Sequence, residues 1–128
     1  MKREIISTPD APRAIGTYSQ GVRVENTLYV SGQIPLDPAT GQLVAGDVEA
    51  QIRRVFENLK AIARAANVTL DDAVRMTIYL TDFGAFPTVN KVMAEYLREP
   101  YPARTTIGVA TLPRGALVEI DCILHRAS

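Results

Sequence analysis

The chain has 128 residues, 47% of them hydrophobic, with fourteen basic side chains balancing fourteen acidic ones. That length fits one domain, 1–128, able to bury a core of its own, and the zero net charge gives no overall field to recruit nucleic acid or an anionic membrane. Cys122 is the only cysteine, so no internal disulfide forms, and no apolar run approaches a membrane span of about 18 residues; the expected location is cytoplasmic.

MKREIIS opens with charge and carries no apolar core of the kind that marks a signal peptide. Residues 22–30, VRVENTLYV, place Val22 and Val24, then Leu28 and Val30, about the polar turn Glu25-Asn26-Thr27, which predicts a hairpin with a half-buried face. Pro35, Pro38 and Gly41 mark turns in the stretch that follows, which leaves room for one further short strand. Val48, Ile52, Val55, Phe56, Leu59, Ile62, Ala63 and Ala66 then recur at three- and four-residue steps and predict a helix over 48–66. Asp47 suits its N-cap, Glu49 its first turn and Asn67 a left-handed closing residue.

A strand is predicted in AVRMTIYLTD, with Val74, Met76, Ile78 and Leu80 on one face. A second helix is predicted from Phe86 to Arg98, with Pro87 near its first position, where a missing N–H costs little. Strands near 104–111 and 116–125 complete a β-β-(β)-α-β-α-β-β order, an α+β sheet with both helices on one face. In the last strand Val118, Ile120, Cys122 and Leu124 point one way, toward the helices, and Leu117, Glu119, Asp121 and Ile123 the other. The second face mixes apolar groups with two carboxylates. Periodicity alone leaves two readings of it: a wet open face, or a seam covered by neighbouring subunits.

Residues 99–109, EPYPARTTIGV, hold Arg104 at a junction stiffened by Pro100 and Pro102, both of which fix φ and restrict the preceding residue. A side chain there is aimed. Read alone, Arg104 is also an ordinary surface ion-pair partner, Glu119 a solvated strand carboxylate, Ser31-Gly32 a turn and Tyr18 a core-edge aromatic. Cys122 fits core packing and His125 a solvent-facing position, and with one histidine no His-rich metal site is expected.

The segments AIGTYSQG, YVSGQIPLDPATGQLV, TVN, PARTTIGV and LPRGALVEIDCIL, in this order from Ala14 to Leu124, resemble the RidA/YjgF family of enamine/imine deaminases. The resemblance implies a chorismate-mutase-like α+β fold assembled as a homotrimer, with ligand clefts between subunits. It implies hydrolysis of 2-imino acids such as 2-iminobutanoate and 2-iminopropanoate, or of 2-aminoacrylate-type enamines, to 2-oxo acids and ammonia, with no cofactor. By the same resemblance Arg104 grips the substrate carboxylate, Glu119 holds or activates water, and Tyr18, Ser31, Gly32 and Asn90 line the cleft. Thr106 takes a backbone-contact position. Two residues depart from the family pattern: Thr17 stands where proline is common, and Thr106 where well-studied deaminases often carry cysteine, so a thiol is not required. Some relatives are described as endoribonucleases or inhibitors of translation. The neutral charge and the lack of a basic-aromatic cluster weigh against an RNA-acting protein. A non-catalytic ligand-binding trimer also accounts for the arginine.

Overall fold

The computed structural model describes residues 2–127. Six strands form one sheet: β1 (Arg3–Ile6), β2 (Gly21–Val24), β3 (Thr27–Gln33), β4 (Ala73–Leu80), β5 (Ala103–Gly108) and β6 (Val118–His125). Two helices, α1 (Val48–Ala65) and α2 (Phe86–Tyr96), accompany it, giving the α+β class the sequence predicts. The sheet order is β1-β2-β3-β6-β4-β5; β4 and β5 run parallel and every other neighbouring pair is antiparallel.

The α1 stripe makes the core. Ile52, Val55, Phe56, Leu59 and Ile62 are fully buried, facing Met76, Ile78 and Leu80 of β4 and Val118, Ile120 and Leu124 of β6. A truncation such as Leu59→Ala removes atoms from this packed layer and costs about 2–5 kcal/mol. Asp47 caps the helix by accepting from the Ala50 amide at 3.1 Å, and Asn67 beyond its end takes φ 61°, both as the sequence indicates. Cys122 is buried in this layer, and burial pushes its thiol up to about 12.

Five expectations are corrected. The opening residues form β1, which the sequence does not announce because Arg3, Glu4 and Ile5 are exposed and only Ile6 is buried. The short strand allowed after β3 reduces to one bridge, Leu36 with Leu43. In the hairpin a two-residue turn pairs Val24 with Thr27 and Arg23 with Leu28, so Val22 and Val24 lie on the face opposite Leu28 and Val30. Val74 is an extra residue: Ala73 pairs with Leu124 and Arg75 with the adjacent Ile123, and this bulge turns Val74 outward, 49% exposed. Finally, α2 ends at Tyr96 rather than Arg98, β5 spans 103–108 rather than 104–111, and β6 starts at Val118.

Candidate active site

The pleat sorts the named residues onto two faces. In β6 the even positions are buried under the helices, so Glu119, Asp121 and Ile123 point to the open face. Tyr79, paired with Glu119, lies on that face too, and its hydroxyl donates to Asp121 Oδ2 at 3.1 Å. Arg104 pairs with the buried Met76 and Thr106 with the buried Ile78, so both stand on the helix face of the edge strand β5.

A bulge shapes the Glu119 side. Val30 pairs with Cys122 and Gln33 with Ile120, so Ser31 and Gly32 together oppose Asp121 alone. Ser31 is pinned: its amide donates to the Gln20 carbonyl at 3.0 Å and its hydroxyl to the Ser19 carbonyl at 2.5 Å. Gly32 is needed for close approach, since a Cβ there would lie 2.2 Å from Glu119 Oε2. Glu119 itself is half-buried and accepts no hydrogen bond from a described residue. Desolvation, and then the charge of Asp121, hold its carboxyl above the usual 4.5.

Tyr18, Ser31, Gly32 and Glu119 line one cleft of 480 Å³, together with Arg13, Ile15, Ile34, Leu36 and Arg114. Four of the residues named from the sequence are thus brought together, without Asn90. Tyr18 is 51% exposed at the rim, its hydroxyl accepting from the Ile15 amide at 3.4 Å. Two buried amides, not singled out in the sequence, fix the walls. Gln20, 3% exposed, accepts from the Thr8 amide at 2.7 Å and donates to the carbonyls of Thr8, Ala11 and Pro12 at 3.0, 3.3 and 2.8 Å. Asn58 donates to the Leu36 carbonyl at 3.0 Å. Their signal in the sequence is faint: polar residues within otherwise apolar patterns, whose partners are distant backbone carbonyls.

Arg104 and Asn90 line a different hollow, of 410 Å³, with Met93, Ala94, Tyr101 and Pro102. The guanidinium donates to Asn90 Oδ1 at 2.7 Å and sits 5.1 Å from the centroid of the Phe86 ring. It pairs with no carboxylate of a described residue. Phe86 and Asn90, one helical turn apart on α2, hold the planar fork in place and leave part of it unoccupied. Asn90 therefore meets Arg104 within the same chain and not on the Glu119 side. Thr106, two positions along β5, keeps a buried hydroxyl without a hydrogen-bond partner and does not line the Arg104 hollow.

So Glu119 and Arg104 line two separate clefts on opposite faces of one sheet. Among the described residues no three His, Cys, Asp or Glu side chains converge as metal ligands, and no helix is long and apolar enough to cross a membrane.

Residues 8–125 match the family described as endoribonuclease L-PSP. The chain belongs to that family, RidA/YjgF. It is 44% identical over 122 residues to 2-iminobutanoate/2-iminopropanoate deaminase of Dermatophagoides farinae, covering 95% of each chain. The crystal structure of RidA from the Antarctic bacterium Psychrobacter sp. superposes with a TM-score of 0.93 at 49% identity, covering 96% of this chain and 99% of that one. Escherichia coli TdcF with bound serine superposes at 0.90 with 41% identity, covering 97% and 99%. RidA relatives thus include proteins named for imine deamination, under a family description that names an endoribonuclease.

Proposed function

We propose that this RidA-family protein hydrolyses 2-imino acids to 2-oxo acids and ammonia in a cleft shared between subunits of a homotrimer. The observation that carries this reading is the guanidinium of Arg104, fixed by Asn90 and Phe86 yet paired with no carboxylate of a described residue. A 2-imino acid bears a carboxylate beside the reacting carbon, and a fixed fork binds it through two parallel charge-assisted hydrogen bonds. The relative from D. farinae is named for this activity, and TdcF was crystallised with serine, a small α-carboxylate compound.

Arg104 and Glu119 of one chain cannot flank one small substrate, because the sheet lies between them. A trimer removes the difficulty by setting the Arg104 edge of one chain over the Glu119 cleft of the next. Exposed Ile5, Tyr29 and Ile107, spread over β1, β3 and β5 on the open face, support an assembly that covers this face.

The chemistry then needs only placement and proton transfer. Arg104 of one subunit orients the protonated imine by its carboxylate. Glu119 of the other, as carboxylate, accepts a proton from a water whose oxygen bonds to the imine carbon. The same proton passes to nitrogen, Glu119 takes the remaining hydroxyl proton as C=O forms and the C–N bond breaks, and the departing ammonia carries that proton away as ammonium. A carboxyl held above its usual range suits this exchange, which is worth on the order of 10²–10⁴-fold.

The test generates imines from several amino acids with an amino-acid oxidase in the presence of semicarbazide as trap. Added protein should raise 2-oxo acid formation and lower semicarbazone yield. An unchanged partition at micromolar protein would overturn the reading.

A further inference from the structure

The Glu119 cleft is larger than the reacting head of a three-carbon imine requires, and its rim is not neutral. Arg13 and Arg114 both line it, and both also line the adjoining hollow formed by Thr8, Pro9, Pro38 and Gly41. They stand on the ridge between the two clefts. Arg13 is exposed and makes no hydrogen bond or ion pair with a described residue. Arg114 makes one contact, its Nη2 donating to the neutral Gly41 carbonyl at 3.3 Å. Six ion pairs hold other cations of the described chain, among them Arg23, Arg53, Arg98 and Arg126, yet neither rim arginine finds an acid.

The backbone adds an independent observation. Arg114 lies at φ 63°, ψ 15°, in the left-handed region, although the next residue is a glycine at φ 73° that would take that conformation without strain. A bulky side chain held in such a region persists where its surroundings fix it, and such outliers concentrate at ligand sites. This strained residue is only five positions before Glu119, on the loop that leads into β6.

We propose that Arg13 and Arg114 form an anion subsite that selects 2-imino acids carrying a second carboxylate on the side chain. This rests on the imine-deaminase reading. The α-carboxylate occupies Arg104 of one subunit, and the distal carboxylate reaches the two rim guanidinia beside Glu119 of the other. The half-buried Glu119 repels a dianion, and the two rim cations offset that repulsion where the second charge lies. The subsite changes which imine is hydrolysed and leaves the hydrolytic step as written above.

The experiment compares imines of glutamate and of 2-aminobutanoate, each made in situ by an oxidase acting on that amino acid, for the wild-type protein and for Arg13→Gln/Arg114→Gln. The ratio of kcat/KM for the dicarboxylate imine to that for the monocarboxylate imine should fall by about tenfold or more in the double variant, mainly through KM. An unchanged ratio overturns the proposal, as does an equal loss on both substrates. A second arm measures calorimetric binding of the unreactive products, 2-oxoglutarate and 2-oxobutanoate. Tighter binding of 2-oxoglutarate, lost in the double variant, supports the subsite even where no imine is hydrolysed, an outcome that would remove the deaminase reading alone. Equal binding of the two oxo acids, or displacement of 2-oxoglutarate from the wild type by a short ribo-oligonucleotide at lower concentration than by succinate, overturns it.

Discussion

Arg104 and Glu119 lie on opposite faces of one sheet, Arg104 registered on β4 with buried Met76 and Glu119 with Tyr79 on the open side. A site that uses both is therefore intermolecular. Light scattering should report about three times the 14.0 kDa chain mass. Dilution that dissociates the assembly should silence turnover, whereas a fully active monomer would remove the shared site.

Arg104 has a fixed fork, so its replacement separates charge from geometry. Arg104→Ala loses two charge-assisted hydrogen bonds of about 1.5–3 kcal/mol each, a fall in kcat/KM of about 10²–10⁴. Arg104→Lys keeps the charge and loses the fork, so it should still fall by at least about tenfold. Circular dichroism should stay that of the wild type, since the side chain is not in the core. Near wild-type turnover by either variant would end the carboxylate-anchor role.

Glu119 gives a pH prediction with a definite sign. Its carboxyl is held above 4.5, so across the window between the unfolded and folded values the folded chain binds more protons. Its contribution to stability therefore declines as pH rises through that window. Glu119→Gln removes the titration, and its melting temperature relative to wild type should rise as pH climbs above the ordinary 4.5. As the base, Glu119 works deprotonated, so kcat/KM should climb with pH along a limb above the ordinary glutamate range. Asp121→Asn should move that limb to lower pH. A limb that ignores Asp121→Asn would place the proton transfer elsewhere.

Gly32→Ala tests the close approach on the Glu119 side. The new Cβ meets Oε2 at 2.2 Å, so the carboxylate must swing away. The clash falls on the end of a side chain beside an open cleft, so the stability cost stays near the low end of overpacking, about 1 kcal/mol. Activity should drop at least tenfold, more than that cost implies. Unimpaired kcat with a lowered melting temperature would mean that the Glu119 position does not matter to the chemistry.

The α1 stripe, its Asp47 cap and the split faces of β6 were legible because each follows from local spacing. β1 was not, because an edge strand with one buried residue carries no alternation. The Val74 bulge and the two-residue hairpin turn were illegible for a related reason: one extra residue reverses every later side chain, and the sequence does not mark where it falls. The same parity decides the site. The family resemblance named Arg104 and Glu119 as candidates, but their separation by the sheet depends on the β4–β5 register. Arg13 and Arg114 gave no signal because the clefts they line are assembled from loops distant in the chain.

The most direct test of the shared site mixes two inactive proteins, Arg104→Ala and Glu119→Gln, by co-refolding or by co-expression under separate tags. In a closed trimer each site takes Arg104 from one chain and Glu119 from the next. Random 1:1 assembly then rebuilds roughly a quarter of the sites with both residues intact. The account predicts recovery of about that share of wild-type turnover in the whole mixture, from one intact site in each mixed trimer, while each variant alone stays silent. Mixed trimers, verified by both tags, that remain as inactive as their parents would contradict it.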